Sequence, residues 1–130
     1  MTDTLLVTAA ADLDAVAVLE VARGAGLELG ADLLALLRGR REEVLSALAG
    51  GVPAYGVSTG MGALSDVALS SVEQTDHSAR LMLARAVGGP PWLDATETRA
   101  LLAVRLRTFL AGDAGVSAEL CSWLAALLAD

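Results

Sequence analysis

The segment with the greatest chemical potential is the glycine-rich stretch Tyr55-Gly56-Val57-Ser58-Thr59-Gly60-Met61-Gly62. Backbone N–H groups in a glycine-rich loop with serine and threonine can bind phosphate. However, no lysine follows this stretch and no buried strand precedes it, so it fits neither the P-loop nor the dinucleotide-binding pattern. A plain loop between helices is the other simple interpretation, although loops of this length without a function are uncommon.

The other reactive side chains do not form a recognisable site. His77 is the single histidine, with no second histidine, cysteine or suitable carboxylate cluster around it, so we expect a surface ring and no metal site. Cys121 is the single cysteine, which excludes an internal disulfide, and its apolar surroundings favour a buried thiol. Asp12 and Asp14 have the positions of helix-start acids rather than those of a catalytic pair.

Long helices are predicted on both sides of the glycine-rich loop. Before it, apolar residues recur at helical spacing over about 31–49, and a Gly-Gly-Val-Pro sequence ends the run. After it, two sequences with capping-box spacing predict helices over about 70–87 and about 94–111. A last helix is expected over about 117–129.

The N-terminal region predicts smaller elements. Residues 4–8 can form a short strand, and 27–29 can be its partner. Asp12 is expected to cap a helix that runs to about Arg23. The predicted fold class is all-α, mainly helical, with room for one short N-terminal strand pair, in a single domain over 1–130.

Composition and charge exclude several functional classes. The net charge is −7, and the nine basic residues form no basic stripe, which argues against nucleic acid and against anionic membrane surfaces. No uncharged apolar run approaches the ~20 residues needed to span a bilayer, and the N-terminus does not resemble a secretory signal. We therefore expect a cytoplasmic protein. The hydrophobic fraction of 55% fits an alanine-rich helical protein or one whose apolar faces are covered by another chain.

Three blocks in order resemble the histidine, phenylalanine and tyrosine ammonia-lyases and the related aminomutases. The loop YGVSTGMG is similar to the family's Tyr-Gly-(Val/Ile)-x-(Thr/Ser)-Gly-Phe-Gly. Residues 78–88 (SARLMLARAVG) resemble a helix that ends in Leu-x-x-Ser-His-Ala-Ala-Gly, and 105–116 (RLRTFLAGDAGV) resemble Arg-Ala-Asn-Ser-Leu-Ala-Arg-Gly-x-Ser-Gly-Val. The resemblance covers about Leu5 to the C-terminus, and it implies the N-terminal part of the ammonia-lyase fold.

This resemblance also implies a cofactor that the chain does not make. Family members eliminate ammonia from an amino acid with the electrophile MIO (4-methylidene-imidazol-5-one), which forms from an Ala-Ser-Gly tripeptide. The sequence contains no Ala-Ser-Gly. The resemblance therefore implies a small subunit that is inactive alone, in a hetero-oligomer whose larger lyase-like subunit carries the tripeptide and forms MIO.

Within the loop, the resemblance implies that Tyr55 is the base and that Gly56, Gly60 and Gly62 form a substrate-binding turn able to close over an amino acid. A free tyrosine has a pKa near 10 and is a poor base until its phenolate is stabilised. Backbone N–H groups of the turn, or positive charge from the partner, can provide that stabilisation. An ordinary packed tyrosine is the alternative interpretation.

The resemblance places Ala84 and Arg85 beside the substrate's side chain, where tyrosine-specific and histidine-specific members have histidine. Arg85 can bind an acidic or hydrogen-bonding ring substituent, pair with a partner carboxylate, or point to solvent. Met61 stands where the family has phenylalanine, which is a tolerable apolar change. The departures at Arg107, Ala111 and Ala114 indicate either a changed interface or a site no longer selected for catalysis.

Three hypotheses follow. The first is a catalytic small subunit that acts on an aromatic amino acid, by elimination of ammonia or by a 2,3-shift of the amine. The second is a non-catalytic, lyase-derived protein that binds and stabilises or regulates a full-length lyase, so that Tyr55→Phe leaves turnover unaffected. The third is an unrelated helical interaction module, which predicts a stable monomer without a lyase-like partner.

Overall fold

A computed structural model describes residues 4–129. They divide into two compact units: a first unit of residues 4–44 and 92–129, and a second unit of residues 45–91. The single domain over 1–130 therefore stays a prediction.

The described residues form five α-helices and one pair of short strands. Their bounds are β1 Thr4–Val7, α1 Ala15–Ala22, β2 Gly26–Leu29, α2 Ala31–Ala49, α3 Ser71–Arg85, α4 Ala95–Leu110 and α5 Ala118–Leu127. This confirms the predicted fold class, and the predicted helix ends agree with the observed ones to within two residues. No helix within residues 4–129 is both long and apolar enough to cross a membrane.

Strands β1 and β2 pair in parallel, from Thr4 opposite Gly26 to Val7 opposite Leu29. A parallel pair needs a crossover connection, and α1 provides it. The cap of α1 was predicted wrongly: the side chain of Asp14, not Asp12, accepts hydrogen bonds from the first turn of this helix. An N-cap residue needs an extended backbone immediately before the helix, and Asp14 has that conformation.

The first unit has a continuous apolar core. Helix α1 packs on α4, and α5 packs on both α4 and β2. The sulfur of Cys121 lies in this core, as predicted. The other buried apolar residues of the core are Val7, Leu13, Val21, Leu27, Leu33, Leu37, Ala103, Leu106, Leu110, Ala118, Leu124, Ala125 and Leu128.

The second unit has no such core. In residues 45–91, all of which the structure describes, Thr59 and Gly60 are buried and no apolar side chain is. Helix α3 begins at the predicted capping box, in which Ser70 and Glu73 exchange hydrogen bonds. Local hydrogen bonding therefore defines this unit more than apolar burial does.

Candidate functional site

The glycine-rich loop is built around one backbone carbonyl. The oxygen of Ala54 accepts hydrogen bonds from the N–H groups of Val57 and Ser58 at 3.0 Å each, and from that of Thr59 at 3.3 Å. In return, the hydroxyl oxygen of Ser58 accepts a hydrogen bond from the N–H of Ala54 at 2.8 Å. These bonds fold residues 54–59 into a compact turn.

A second segment of chain closes the loop. Thr59 forms an antiparallel bridge with Ala68, the N–H of Gly60 donates to the Val67 carbonyl at 3.0 Å, and the N–H of Leu69 donates to the Ser58 carbonyl at 2.9 Å. None of the sequence patterns described above predicts this pairing. The available signal was the short apolar run Val67-Ala68-Leu69, which is typical of an extended segment.

Two of the loop glycines have backbone conformations that other residues rarely adopt. The φ angle is +71° at Gly56 and +58° at Gly62. At Gly60 the requirement is one of space, because the chain passes too close to Leu64 to accommodate a side chain. The glycines predicted for the site therefore have structural roles in the turn, whatever they contact in a complex.

Tyr55 projects from this turn with its ring largely in solvent, since 62% of the residue is exposed. Its phenolic oxygen accepts a hydrogen bond from the backbone N–H of Gly62 at 3.1 Å. An N–H donor at this oxygen stabilises negative charge there. The arrangement is an accessible phenol whose oxygen is held by the glycine turn.

Arg85, the last residue of α3, reaches the same turn. Its Nη2 donates to the sulfur of Met61 at 3.8 Å. Met61 is adjacent to Gly62, so consecutive residues hold the guanidinium and the phenol. Among the described residues, the ion pairs are Arg38–Glu119 and Arg40–Glu43, and Arg85 takes part in neither.

Ala84, the other residue predicted at the substrate's side chain, is exposed one position earlier on α3. It therefore offers open surface beside Arg85 and no hydrogen-bonding group of its own.

The structure corrects the prediction for His77. The residue is half-buried rather than at the surface, and its Nε2 is enclosed without a hydrogen-bond partner among the described residues. Glu73, Asp76 and Arg80 line a hollow together with it. No group of three or more histidine, cysteine or acidic residues within 4–129 is placed to bind a metal ion.

Two shallow apolar hollows of about 620 and 510 Å³ lie on the first unit and share Val104. The larger one runs between the start of α1 and α4, and the smaller one follows α4 itself. The exposed fractions of Leu19 and Leu101, which line them, are 52% and 55%. Helices α1 and α4 thus carry apolar residues both on their core faces and on their solvent faces.

Comparisons with known proteins agree with the resemblance seen in the sequence. The sequence model of the aromatic amino acid lyase family matches residues 13–130. A histidine ammonia-lyase of Myxococcus xanthus is 36% identical over 103 residues, which are 78% of this chain and 20% of that protein. A histidine ammonia-lyase of Streptomyces avermitilis is 35% identical over 112 residues, covering 85% of this chain and 22% of that protein.

Solved structures share the fold. Ergothionase from Treponema denticola, an ergothioneine-degrading enzyme, superposes with a TM-score of 0.86 at 26% identity, over 98% of this chain and 26% of its own. Tyrosine aminomutase from Streptomyces globisporus superposes with a TM-score of 0.81 at 23% identity, over 100% of this chain and 24% of its own, and it supports the fold alone.

The chain therefore spans about a fifth of the length of the curated relatives it matches. The matching segment has the fold of the N-terminal part of the lyases. The chain belongs to the aromatic amino acid lyase family.

Proposed function

We propose that this chain is the small subunit of a heteromeric, MIO-dependent ammonia-lyase or aminomutase, and that it supplies Tyr55 as the base. The observation that carries this proposal is the exposed phenol, whose oxygen accepts the N–H of Gly62 at 3.1 Å. A general base must reach the proton it removes, and a ring with 62% exposure is accessible to a substrate or to a second chain.

In the proposed reaction, the phenolate oxygen of Tyr55 accepts a proton from the carbon next to the carbon that bears the amine. The electron pair left behind forms the double bond as the carbon–nitrogen bond breaks, which releases ammonia. The N–H of Gly62 holds the phenolate oxygen in place, and Gly56 and Gly60 keep the turn narrow enough to lie against an amino acid. An aminomutase would return the amine to the neighbouring carbon.

Arg85 and Ala84 would contact the side chain of the substrate. The guanidinium of Arg85 lies at the turn through Met61, without a carboxylate partner in the described part of the chain. A planar guanidinium binds carboxylates and other acceptors through paired hydrogen bonds. An aromatic amino acid whose ring carries an acceptor would fit this guanidinium.

The residues of this chain do not form MIO, because the 130 residues contain no Ala-Ser-Gly. MIO would come from the larger subunit, where it would supply the electrophile that activates the amine. What this chain contributes is therefore limited to the turn, its tyrosine and the arginine beside it.

Two features favour a large partner. The second unit has no buried apolar side chain, and a segment of 47 residues without a core does not offset its conformational entropy. The first unit leaves the apolar hollows around Val104 open. Relatives about four times as long have the additional polypeptide that could cover both. A cytoplasmic location belongs to the same proposal.

The test is co-expression with an Ala-Ser-Gly polypeptide, defined as a lyase-family protein of the same genome that contains this tripeptide and has no counterpart of residues 53–62. Ammonia release from L-histidine, L-tyrosine and L-phenylalanine is measured with this chain, without it, and with Tyr55→Phe. We expect activity only with the wild-type chain, and a loss of about 100-fold or more for Tyr55→Phe.

Val57→Ala is the matched control, since Val57 is an exposed residue of the same turn, and this variant should retain its activity. If Tyr55→Phe supports full turnover, the chain is a non-catalytic stabiliser or regulator of a lyase. If the chain remains a monomer beside every Ala-Ser-Gly polypeptide of the genome, both readings fail.

A further inference from the structure

Helix α3 turns apolar residues towards solvent and polar residues inwards, which is the opposite of an ordinary surface helix. Its half-buried face consists of Gln74, His77 and Leu81, spaced three and four residues apart. Apolar residues instead occupy solvent-facing positions: the exposed fractions are 72% at Val72, 73% at Met82 and 77% at Leu83. A surface helix normally turns its apolar stripe towards a core and its polar residues towards water.

Polar contacts hold the inner face of this helix. Gln74 Nε2 donates to the carbonyl of Leu69 at 2.9 Å, whereas His77 Nε2 is enclosed with no partner in the described residues. Hydrogen bonds that replace bonds to water contribute little net stability, and an enclosed unpaired nitrogen opposes it. The inner face of α3 therefore stabilises the second unit only weakly.

The first unit is held in a different way. Its core includes the fully buried side chains of Leu13, Leu106 and Leu110, whereas the second unit has no counterpart to them. Burial of apolar area is the main favourable contribution to folding, and it scales with the area removed from water. The first unit can therefore be stable by itself. The second unit buries too little apolar area to be stable by itself.

We propose that the outer face of α3, formed by Val72, Ala79, Met82 and Leu83, docks on the Ala-Ser-Gly polypeptide, and that residues 45–91 acquire stable order only on docking. The identity of the partner is inferred from length. Ergothionase has the same fold over 26% of its chain, so most of that protein lies outside the matched part and has no counterpart in this chain. This inference rests on the proposed function for the identity of the partner.

Docking would then assemble the candidate site. Tyr55, Gly62 and Arg85 all belong to the second unit, so the phenol and the guanidinium reach the geometry described above only when a partner covers α3. A free chain would present neither group in place, which couples assembly to activity.

The first experiment needs this protein alone. Amide hydrogen exchange of the full chain is followed by mass spectrometry. We expect amides in residues 45–91 to exchange at rates within about tenfold of those of an unstructured peptide. The amides of α4 and α5 should exchange at least about 1000-fold more slowly than that peptide. Comparable protection of α3 and α4 in the free protein would overturn the proposal.

In the second experiment the Ala-Ser-Gly polypeptide is added. Exchange in α3 should slow by at least about 100-fold. The double variant Met82→Asp, Leu83→Asp should lose this protection, while its free form keeps the wild-type thermal unfolding because both positions are exposed. Leu36→Asp, at an exposed leucine of α2, is the control and should behave as wild type.

The outcomes separate this inference from the proposed function. If the double variant gains the same protection as wild type, or if the added polypeptide protects nothing, docking through α3 is wrong. If docking behaves as expected and Tyr55→Phe remains fully active, the docking surface stands and the catalytic role falls.

Discussion

A Cβ atom built on Gly60 would lie 2.5 Å from the carbonyl oxygen of Leu64 and 2.8 Å from its Cβ. Both distances are shorter than van der Waals contact, and the first involves backbone, which cannot rotate away. The turn that carries Tyr55 therefore excludes every side chain at this position.

Gly60→Ala should consequently distort the turn. Forcing a methyl group into a closely packed site costs about 1–3 kcal/mol, which corresponds to roughly 5- to 150-fold in activity of the reconstituted pair. The measurement is ammonia release at saturating partner concentration. Gly89→Ala is the control, because a Cβ there has no atom within 4 Å and the φ angle is not positive. Equal activities for the two variants would contradict the role assigned to Gly60.

Arg99 ties together three parts of the first unit. Its Nε donates to the carbonyl of Val21 at 2.8 Å, and its Nη2 donates to the carbonyls of Ala25 and Leu128. Val21 and Leu128 lie at the C-terminal ends of α1 and α5, where a cation is favoured. Arg99→Met leaves these acceptors without their donor and should lower the free energy of unfolding by about 3 kcal/mol.

The measurement for Arg99 is urea-induced unfolding of the free chain, followed by circular dichroism. Arg105→Met is the matched control on the same helix. Its guanidinium lies 5.8 Å from the ring centroid of Phe109 and is exposed, so the change should be below about 1 kcal/mol. If the two variants unfold at the same urea concentration, the carbonyl contacts of Arg99 do not stabilise the unit.

Local sequence signals predicted the elements well. The capping boxes at Ser70 and Asp94 gave helix starts that the structure confirms, because the box is formed by residues three positions apart. A strand pair was also anticipated from two short apolar segments, whereas its parallel orientation was not. Asp12 and Asp14 show the limit of such signals: both are suitable acids, and only the backbone conformation determines which one caps α1.

Contacts between distant residues could not be predicted in this way. Arg99 bonds to carbonyls 78 and 29 positions away, and no local pattern marks such partners. Within the candidate site, Tyr55 and its glycines could be predicted from the sequence. The hydrogen bond from the N–H of Gly62 to the phenolic oxygen of Tyr55 could not, because it depends on how the turn closes. The outward apolar face of α3 has helical spacing, but spacing alone does not say which face is buried.

Asp12 gives the first unit a dependence on pH. Its carboxylate accepts hydrogen bonds from the N–H and hydroxyl of Thr8 and from the N–H of Ala9. These bonds, that from the N–H of Thr8 first, lower the pKa of Asp12 below its ordinary value. A lowered folded pKa adds stability above the unfolded value near 4, and that stability is lost as pH falls through the folded value.

The thermal unfolding temperature should therefore fall less between about pH 5 and pH 3 in Asp12→Asn than in the wild type. Asp113→Asn provides the comparison, since Asp113 is an exposed acid outside any helix, and it should leave the wild-type profile unchanged. Parallel profiles for wild type and Asp12→Asn would show that the hydrogen bonds of Asp12 do not favour its charged form.

Cys121 should resist modification while the first unit is folded. Burial, followed by the negative charge of Glu119, raises the pKa of the Cys121 thiol, so little thiolate forms and the reagent has no access. With 5,5′-dithiobis(2-nitrobenzoate) at pH 8, we expect no reaction until urea unfolds the chain. Ser122→Cys places a second thiol at the neighbouring exposed position and should add one rapidly reacting group. Rapid labelling of the wild-type folded chain would instead mean that α5 opens readily, because the thiol of Cys121 is buried while α5 is packed in the core.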